Sequence, residues 1–180
     1  MKRLLLVSAI AVLLSACANP LNRVTMDRYA QTCSEADRAG QLDVAEEACR
    51  RALINVRIGN LGQELESQEL YNLARIKKQL HKFAEAEEYY KESLRIQELL
   101  PNPDQKKIGR RLADLSIVIG AQGRFKEAWP VLSRLIPISD SYSGNERSVV
   151  KQIFSKYAEE YDKLQMSAEA ALLRSKAGAL

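Results

Sequence analysis

Few residues in this chain of 180 could do covalent or acid–base chemistry, and their spacing narrows what they could do. There is one histidine, His81. A histidine acting as general base or metal ligand needs an orienting carboxylate, a second ligand or a nucleophile beside it. His81 falls at a turn between two helical patterns, where a solvated side chain is the ordinary outcome. Cys33 and Cys49 belong to the preceding helical pair and do not share its neighbourhood. No stretch has metal-ligand spacing, a glycine-rich phosphate loop or a nucleophile elbow. Glu46, Glu47, Glu85, Glu87 and Glu88 recur at the spacing of a solvated helix face. The expectation is a protein with no catalytic residue, no metal site and no cofactor.

The two interior cysteines carry more information. Each lies eight residues from Gln41, so in an antiparallel helical hairpin centred there Cys33 and Cys49 stand opposite each other. An oxidising compartment would permit a disulfide. The alternative is two buried thiols packed as small apolar groups, because helix axes about 8–10 Å apart put Cα pairs near the limit of bridging reach.

The elements that hold these residues are helices. Around Gln79–Lys82, Leu70, Leu73, Ala74, Lys77 and Leu80 form one i, i+3, i+4, i+7 face, and Phe83, Ala86, Tyr90, Ser93 and Leu94 form another. Earlier helices are expected over residues 26–37, with Thr25 as N-cap, and 42–56, separated by a turn at Arg38-Ala39-Gly40. Later helices are expected over 105–121, with Asp104 as N-cap, and over 125–136, stopped by Pro137. Residues 139–145 read as the most loop-like segment, followed by helices over 147–163 and 167–177. No period-two run or Asn-Gly hairpin signals a strand.

These helices repeat. The small residue early in each second helix is Ala45, Ala86, Ala128 and Ala170, at offsets of 41, 42 and 42. The residue three before it is Leu42, Phe83, Phe125 and Ser167, and the turn residue two earlier again is Gly40, His81, Gly123 and Gln165. Seven after the small residue stand Ala52, Ser93, Leu135 and Ala177. One such hairpin cannot bury both its apolar faces, whereas stacked copies can.

This pattern resembles the tetratricopeptide repeat (TPR). The second hairpin carries the resemblance through Leu70, Leu73, Ala74, Phe83, Ala86 and Tyr90. The third carries it through Leu112, Leu115, Ser116, Gly123, Phe125 and Ala128, and the fourth through Phe154, Tyr157, Ala158, Tyr161, Ala170 and Ala177. The first matches through Tyr29, Cys33, Gly40, Leu42, Ala45, Ala52 and Leu53. The period of 41–42 exceeds the 34 residues of the standard motif and is similar to the long repeat of kinesin light chains. HEAT and armadillo repeats share the period without the Gly-x-Phe turn. The resemblance implies an all-α fold, a right-handed superhelix of antiparallel helix hairpins, with repeats at about 26–66, 67–108, 109–150 and 151–180.

Ahead of the repeats, Lys2 and Arg3 precede an apolar run over residues 4–14 that ends in Leu14-Ser15-Ala16-Cys17. A run of about 11 residues is too short to span a bilayer and has the length of a signal-peptide core. The four residues resemble the lipobox of bacterial lipoproteins. That resemblance implies cleavage of residues 1–16, acylation of Cys17, and a stable anchor of several acyl chains. Residues 17–25 would then be the acylated cysteine and a membrane tether. Ala18, rather than Asp, after the lipidated cysteine favours the outer membrane by analogy with enterobacterial sorting, with the domain facing the periplasm. Removing Lys2 and Arg3 lowers the formal charge from +4 to +2, which weakens a nucleic-acid reading.

In the TPR scheme the first helix of each hairpin lines a groove. Here that face includes Tyr71, Asn72, Arg75 and Lys78, with Arg110 and Asp114 in the next repeat. Together they are expected to form a basic, partly aromatic wall suited to an acidic or C-terminal peptide segment. The carboxylate clamp of chaperone-binding members does not carry over. Asn72 and Arg110 fit it, but Ala30, Ser34 and Asp114 do not. The expected function is a non-catalytic envelope adaptor or scaffold that binds protein partners, with the membrane held through the N-terminal lipid. The alternative is a structural homo-oligomeric lipoprotein without a groove ligand.

Overall fold

The computed structural model describes residues 19–180. Cys17 and the expected signal segment lie outside the described residues. The described chain is built of helices: α1 (Pro20–Arg38), α2 (Leu42–Ile58), α3 (Gln63–Gln79), α4 (Phe83–Leu99), α5 (Gln105–Ala121), a 3₁₀ turn (Phe125–Ala128), α6 (Trp129–Ser139), α7 (Gly144–Lys163) and α8 (Ser167–Ala179). No strand occurs among the described residues. The helices form two compact units, one ending at Glu69 and the other spanning Leu70–Leu180.

The aligned positions of the sequence take equivalent places in the structure. Ala45, Ala86, Ala128 and Ala170 are each 0% exposed, as are Ala52, Ser93 and Leu135 seven residues later. Two helices can approach closely only where the facing residue is small, which is why alanine recurs there. The four turns also share one backbone geometry. Gly40, His81, Gly123 and Gln165 all have left-handed φ, at 71°, 59°, 74° and 59°. In each turn the next residue's N–H returns to a carbonyl five residues back: Gln41 to Ala36, Lys82 to Lys77, Arg124 to Ile119 and Met166 to Tyr161. This is a Schellman closure, which satisfies the last carbonyls of the preceding helix. Glycine takes that conformation freely, while His81 and Gln165 hold it against the steric preference of L-residues.

In the first unit, Met26, Ala52 and Val56 form a small apolar cluster, with Tyr29, Ala30, Leu61 and Leu65 packed against it. Cys33 and Cys49 are disulfide-bonded with Cα atoms 5.2 Å apart, a separation within bridging reach because Cα atoms on facing sides of two helices lie closer than the helix axes. The first helix begins well before the expected boundary at residue 26. Asn19 caps it, its side chain accepting from the Leu21 N–H, and Pro20 occupies the first turn. Proline there gives up an N–H that would have no partner within the helix. The Asn-Pro pair is therefore a helix start, and residues 20–25 are helix rather than tether.

The second unit has one continuous core, drawn from α3 through α8. Tyrosine hydroxyls pin its layers to backbone carbonyls. Tyr157 donates to Ser116 at 2.5 Å, Tyr161 to Phe125 at 3.1 Å and Tyr142 to Lys106 at 3.1 Å. Two prolines shape α6. Pro130 stands in its first turn, and a 3₁₀ turn precedes it. Pro137 lies inside α6, and the helix continues only to Ser139, so the expected stop at Pro137 arrives slightly late. The loop-like segment is shorter than 139–145, because α7 starts at Gly144. Tyr142 within it is buried. Gly109 makes room for it: a Cβ there would collide with the Tyr142 hydroxyl.

Candidate functional site

Helices α3, α5 and α7, the first helices of successive hairpins, place part of the expected groove set around one cavity of the second unit. Tyr71 from α3, Arg110 and Asp114 from α5, and Asn145, Glu146, Val149 and Val150 from α7 line it, with Tyr142 entering from the α6–α7 loop. Its volume is about 180 Å³, the scale of one large side chain rather than of a small-molecule cofactor.

The charges of this face are organised in pairs across one repeat. Tyr71 donates to Asp114 Oδ2 at 2.7 Å, and Lys78 Nζ reaches Asp114 Oδ1 at 2.5 Å. Arg110 Nε reaches Glu146 Oε1, also at 2.5 Å. The face is therefore a mosaic of alternating charge, where the sequence had suggested a mainly basic wall. Asn72 is half-buried and Arg75 exposed on the same helix, α3.

Beneath the rim lies a buried polar layer. Arg111 is almost wholly buried. Its Nε donates to Ser93 Oγ at 2.7 Å, its Nη1 donates to the Lys107 carbonyl at 3.0 Å, and its guanidinium stacks 5.0 Å from the Tyr71 ring centroid. A stacked, hydrogen-bonded arginine tolerates burial that a lysine would not. Tyr71 also packs on Tyr90, with centroids 5.7 Å apart. Burial raises the Tyr71 phenol well above its usual range, and the Asp114 carboxylate raises it further. Burial, then Glu146, pushes Tyr142 up to about 12. Both phenols stay protonated donors at any physiological pH, so this site holds fixed hydrogen-bond donors rather than proton-transfer groups.

His81 stands in the α3–α4 turn with its ring edge-on to Phe83 at 5.5 Å. Its structural task is the left-handed turn. Among the described residues no cluster of His, Cys, Asp and Glu could hold a metal ion, and no helix is long and apolar enough to cross a membrane. Tyr142, Asn145, Glu146 and Val149 were missed from the sequence because they sit in or beside the segment that reads as loop. Tyr142 carried the one available signal, as an aromatic residue amid small polar ones.

Residues 65–141 match the family described as tetratricopeptide repeat. No curated protein matches the sequence significantly. Among solved structures the chain is similar to BtubC (BKLC) of P. vanneervenii, with a TM-score of 0.72 and 23% identity. That match covers 86% of this chain and 62% of BtubC, so the chain spans less than two thirds of BtubC's length. It is also similar to the nearly identical TPR-like repeats of a Podosopora anserina protein assigned as a kinesin light chain, with a TM-score of 0.66 and 18% identity over 86% of this chain and 74% of that one. The family match falls on the middle hairpins, and the structural likeness shows that the described residues share the fold of TPR-like helical repeats. The likeness extends to the fold alone, which is consistent with a protein-interaction role.

Proposed function

We propose that this chain is a lipid-anchored adaptor of the bacterial envelope that binds a segment of a protein partner on the α3–α5–α7 face of its second unit and performs no catalysis. The observation that carries the binding reading is the cavity itself. Three first helices converge on it, its walls combine Tyr71, Tyr142, Val149 and Val150 with a rim of paired charges, and it is sized for one large side chain. An extended or helical segment could seat an apolar anchor there and exchange hydrogen bonds with Asp114, Glu146 and Arg110, an arrangement typical of peptide recognition. The anchor reading is supported by Lys2, Arg3, the apolar run and Leu14-Ser15-Ala16-Cys17, with Ala18 favouring the outer membrane and a periplasm-facing domain. Partners would be envelope proteins, of the kind that assemble outer-membrane, pilus, secretion or cell-wall machinery.

Affinity purification of the full-length protein from its native envelope tests this reading. A partner that co-purifies with the wild type and is lost with Val149→Glu supports it, since Val149 is exposed on the cavity wall and the variant should fold. A partner retained equally by both proteins contradicts the assignment of this face.

A further inference from the structure

The end of the first hairpin from which the chain leads back to Cys17 carries an unusual amount of exposed apolar surface. The Asn19 N–H donates to the Gly59 carbonyl at 2.9 Å, which fixes the start of α1 beside the end of α2. At this end Leu21 is 76% exposed and Ile58 is 73% exposed, with Val24 at 54% and Ile54 at 37% one turn further in. Among the described residues of the first unit, the only other exposed large apolar side chain is Val44, at the opposite end of the hairpin. Each of the four points away from the buried stripe of its own helix, so none serves the core.

The charges around this end are matched. Arg23 pairs with Asp27 at 3.2 Å, and Arg57 with Glu66 at 2.7 Å. What distinguishes the end is apolar area, and apolar side chains beside matched charges suit the headgroup–acyl boundary of a bilayer. A protein partner would be an equal candidate but for the chain's course. Only Ala18 separates Asn19 from Cys17, and two peptide units reach at most about 7 Å. With Cys17 acylated, this end of the hairpin has no room to leave the membrane surface.

We infer that the end of the hairpin where α1 starts and α2 finishes, with Leu21 and Ile58 as its most exposed apolar side chains, docks on the lipid bilayer itself. The inference rests on the anchor reading of Cys17 and adds to it. The lipid does not hold the domain on a slack tether; the protein surface joins the acyl chains as a second membrane contact, which fixes how the first hairpin stands on the membrane. A single apolar contact of this size would be weak alone, but beside a covalent anchor it acts at high effective concentration.

The test uses the full-length chain made and processed in a bacterial envelope. A photo-crosslinking amino acid is placed at Leu21, at Ile58 and, for comparison, at Val44, and the adducts and the Cys17 peptide are analysed by mass spectrometry. Acylated Cys17 with phospholipid adducts at 21 and 58 and none above background at 44 is the expected result. Acylated Cys17 with no lipid adduct at 21 or 58, with equal lipid adducts at all three positions, or with adducts at 21 and 58 only to protein, overturns the docking inference and leaves the anchor standing. An unmodified Cys17 overturns both.

Discussion

The Tyr71 hydroxyl donates to Asp114 Oδ2 at 2.7 Å across 43 residues, just over one repeat period, and so ties the first helix of one hairpin to the first helix of the next. Lys78 holds the other oxygen of the same carboxylate. Asp114 therefore fixes the spacing of α3 and α5 at the wall of the candidate site. Asp114, one of the three residues that depart from the chaperone-clamp pattern, organises this face, and the recognition it offers is that of a preformed hydrogen-bonding wall around an apolar pocket.

The buried tyrosines differ in whether their hydroxyls are paired, and their phenylalanine variants should differ accordingly. Tyr157 donates to the Ser116 carbonyl, whereas the Tyr90 hydroxyl is buried without a partner among the described residues. Tyr157→Phe should cost about 1–2 kcal/mol by leaving a buried carbonyl unpaired, and Tyr90→Phe should be neutral or stabilising. Urea denaturation of both variants checks the contrast.

The left-handed turns predict a stabilising change. His81 and Gln165 hold φ of 59°, where Gly40 and Gly123 stand in the other two repeats. Left-handed backbone costs an L-residue about 1–2 kcal/mol, and glycine's extra freedom in the unfolded chain takes part of that back. His81→Gly should raise stability by about 0.5–1 kcal/mol, read as a higher thermal midpoint. Loss of stability would mean that the His81–Phe83 ring contact outweighs the relief of the turn.

Breaking the Cys33–Cys49 bond should loosen the first hairpin. The bond closes a loop with a sequence separation of 16, for which the chain-entropy relation gives about 3 kcal/mol. Cys33→Ser with Cys49→Ser should lose roughly that amount in denaturation, and hydrogen exchange should locate the loss in α1 and α2. Two free thiols in the unreduced protein would contradict the bond.

Glu87 should make stability depend on pH in the acid range. Burial opposes its ionisation, but hydrogen bonds from Lys91, Gln122 and Arg124 outweigh burial and hold its carboxyl below the usual 4.5. A carboxylate depressed on folding contributes its full stability above its unfolded value, and that contribution disappears as the pH falls through the folded value. Glu87→Gln should cost about 2 kcal/mol at pH 7, because Arg124 loses a buried partner. The gap to wild type should narrow as the pH falls below the usual carboxylate value and through the lowered folded one, as measured by denaturation across pH.

The repeat was legible in the sequence because packing imposes it residue by residue. A close helix crossing requires Ala45, Ala86, Ala128 and Ala170 at one spacing, and a Schellman turn requires Gly40 and its equivalents at another. What was hidden depends on partners far along the chain. The cations Lys78 and Arg110 read as a basic wall because their pairing with Asp114 and Glu146, each 36 residues on, does not show in local periodicity. Asn19-Pro20 read as linker because the same two residues serve a turn and a helix start, and only tertiary context decides. Tyr142 was lost inside a polar segment whose burial follows from the gap that Gly109 leaves.

The central claim is that partners bind the α3–α5–α7 face. Site-specific photo-crosslinking in native cells tests it most directly, with the probe at Arg75 and Val149 on that face and at Glu88 on the exposed side of α4. The account predicts that Arg75 and Val149 capture the same protein and that Glu88 captures none. Capture at Glu88 with silence at Arg75 and Val149 would contradict it, and capture of a second copy of this chain at the face would favour the homo-oligomeric alternative.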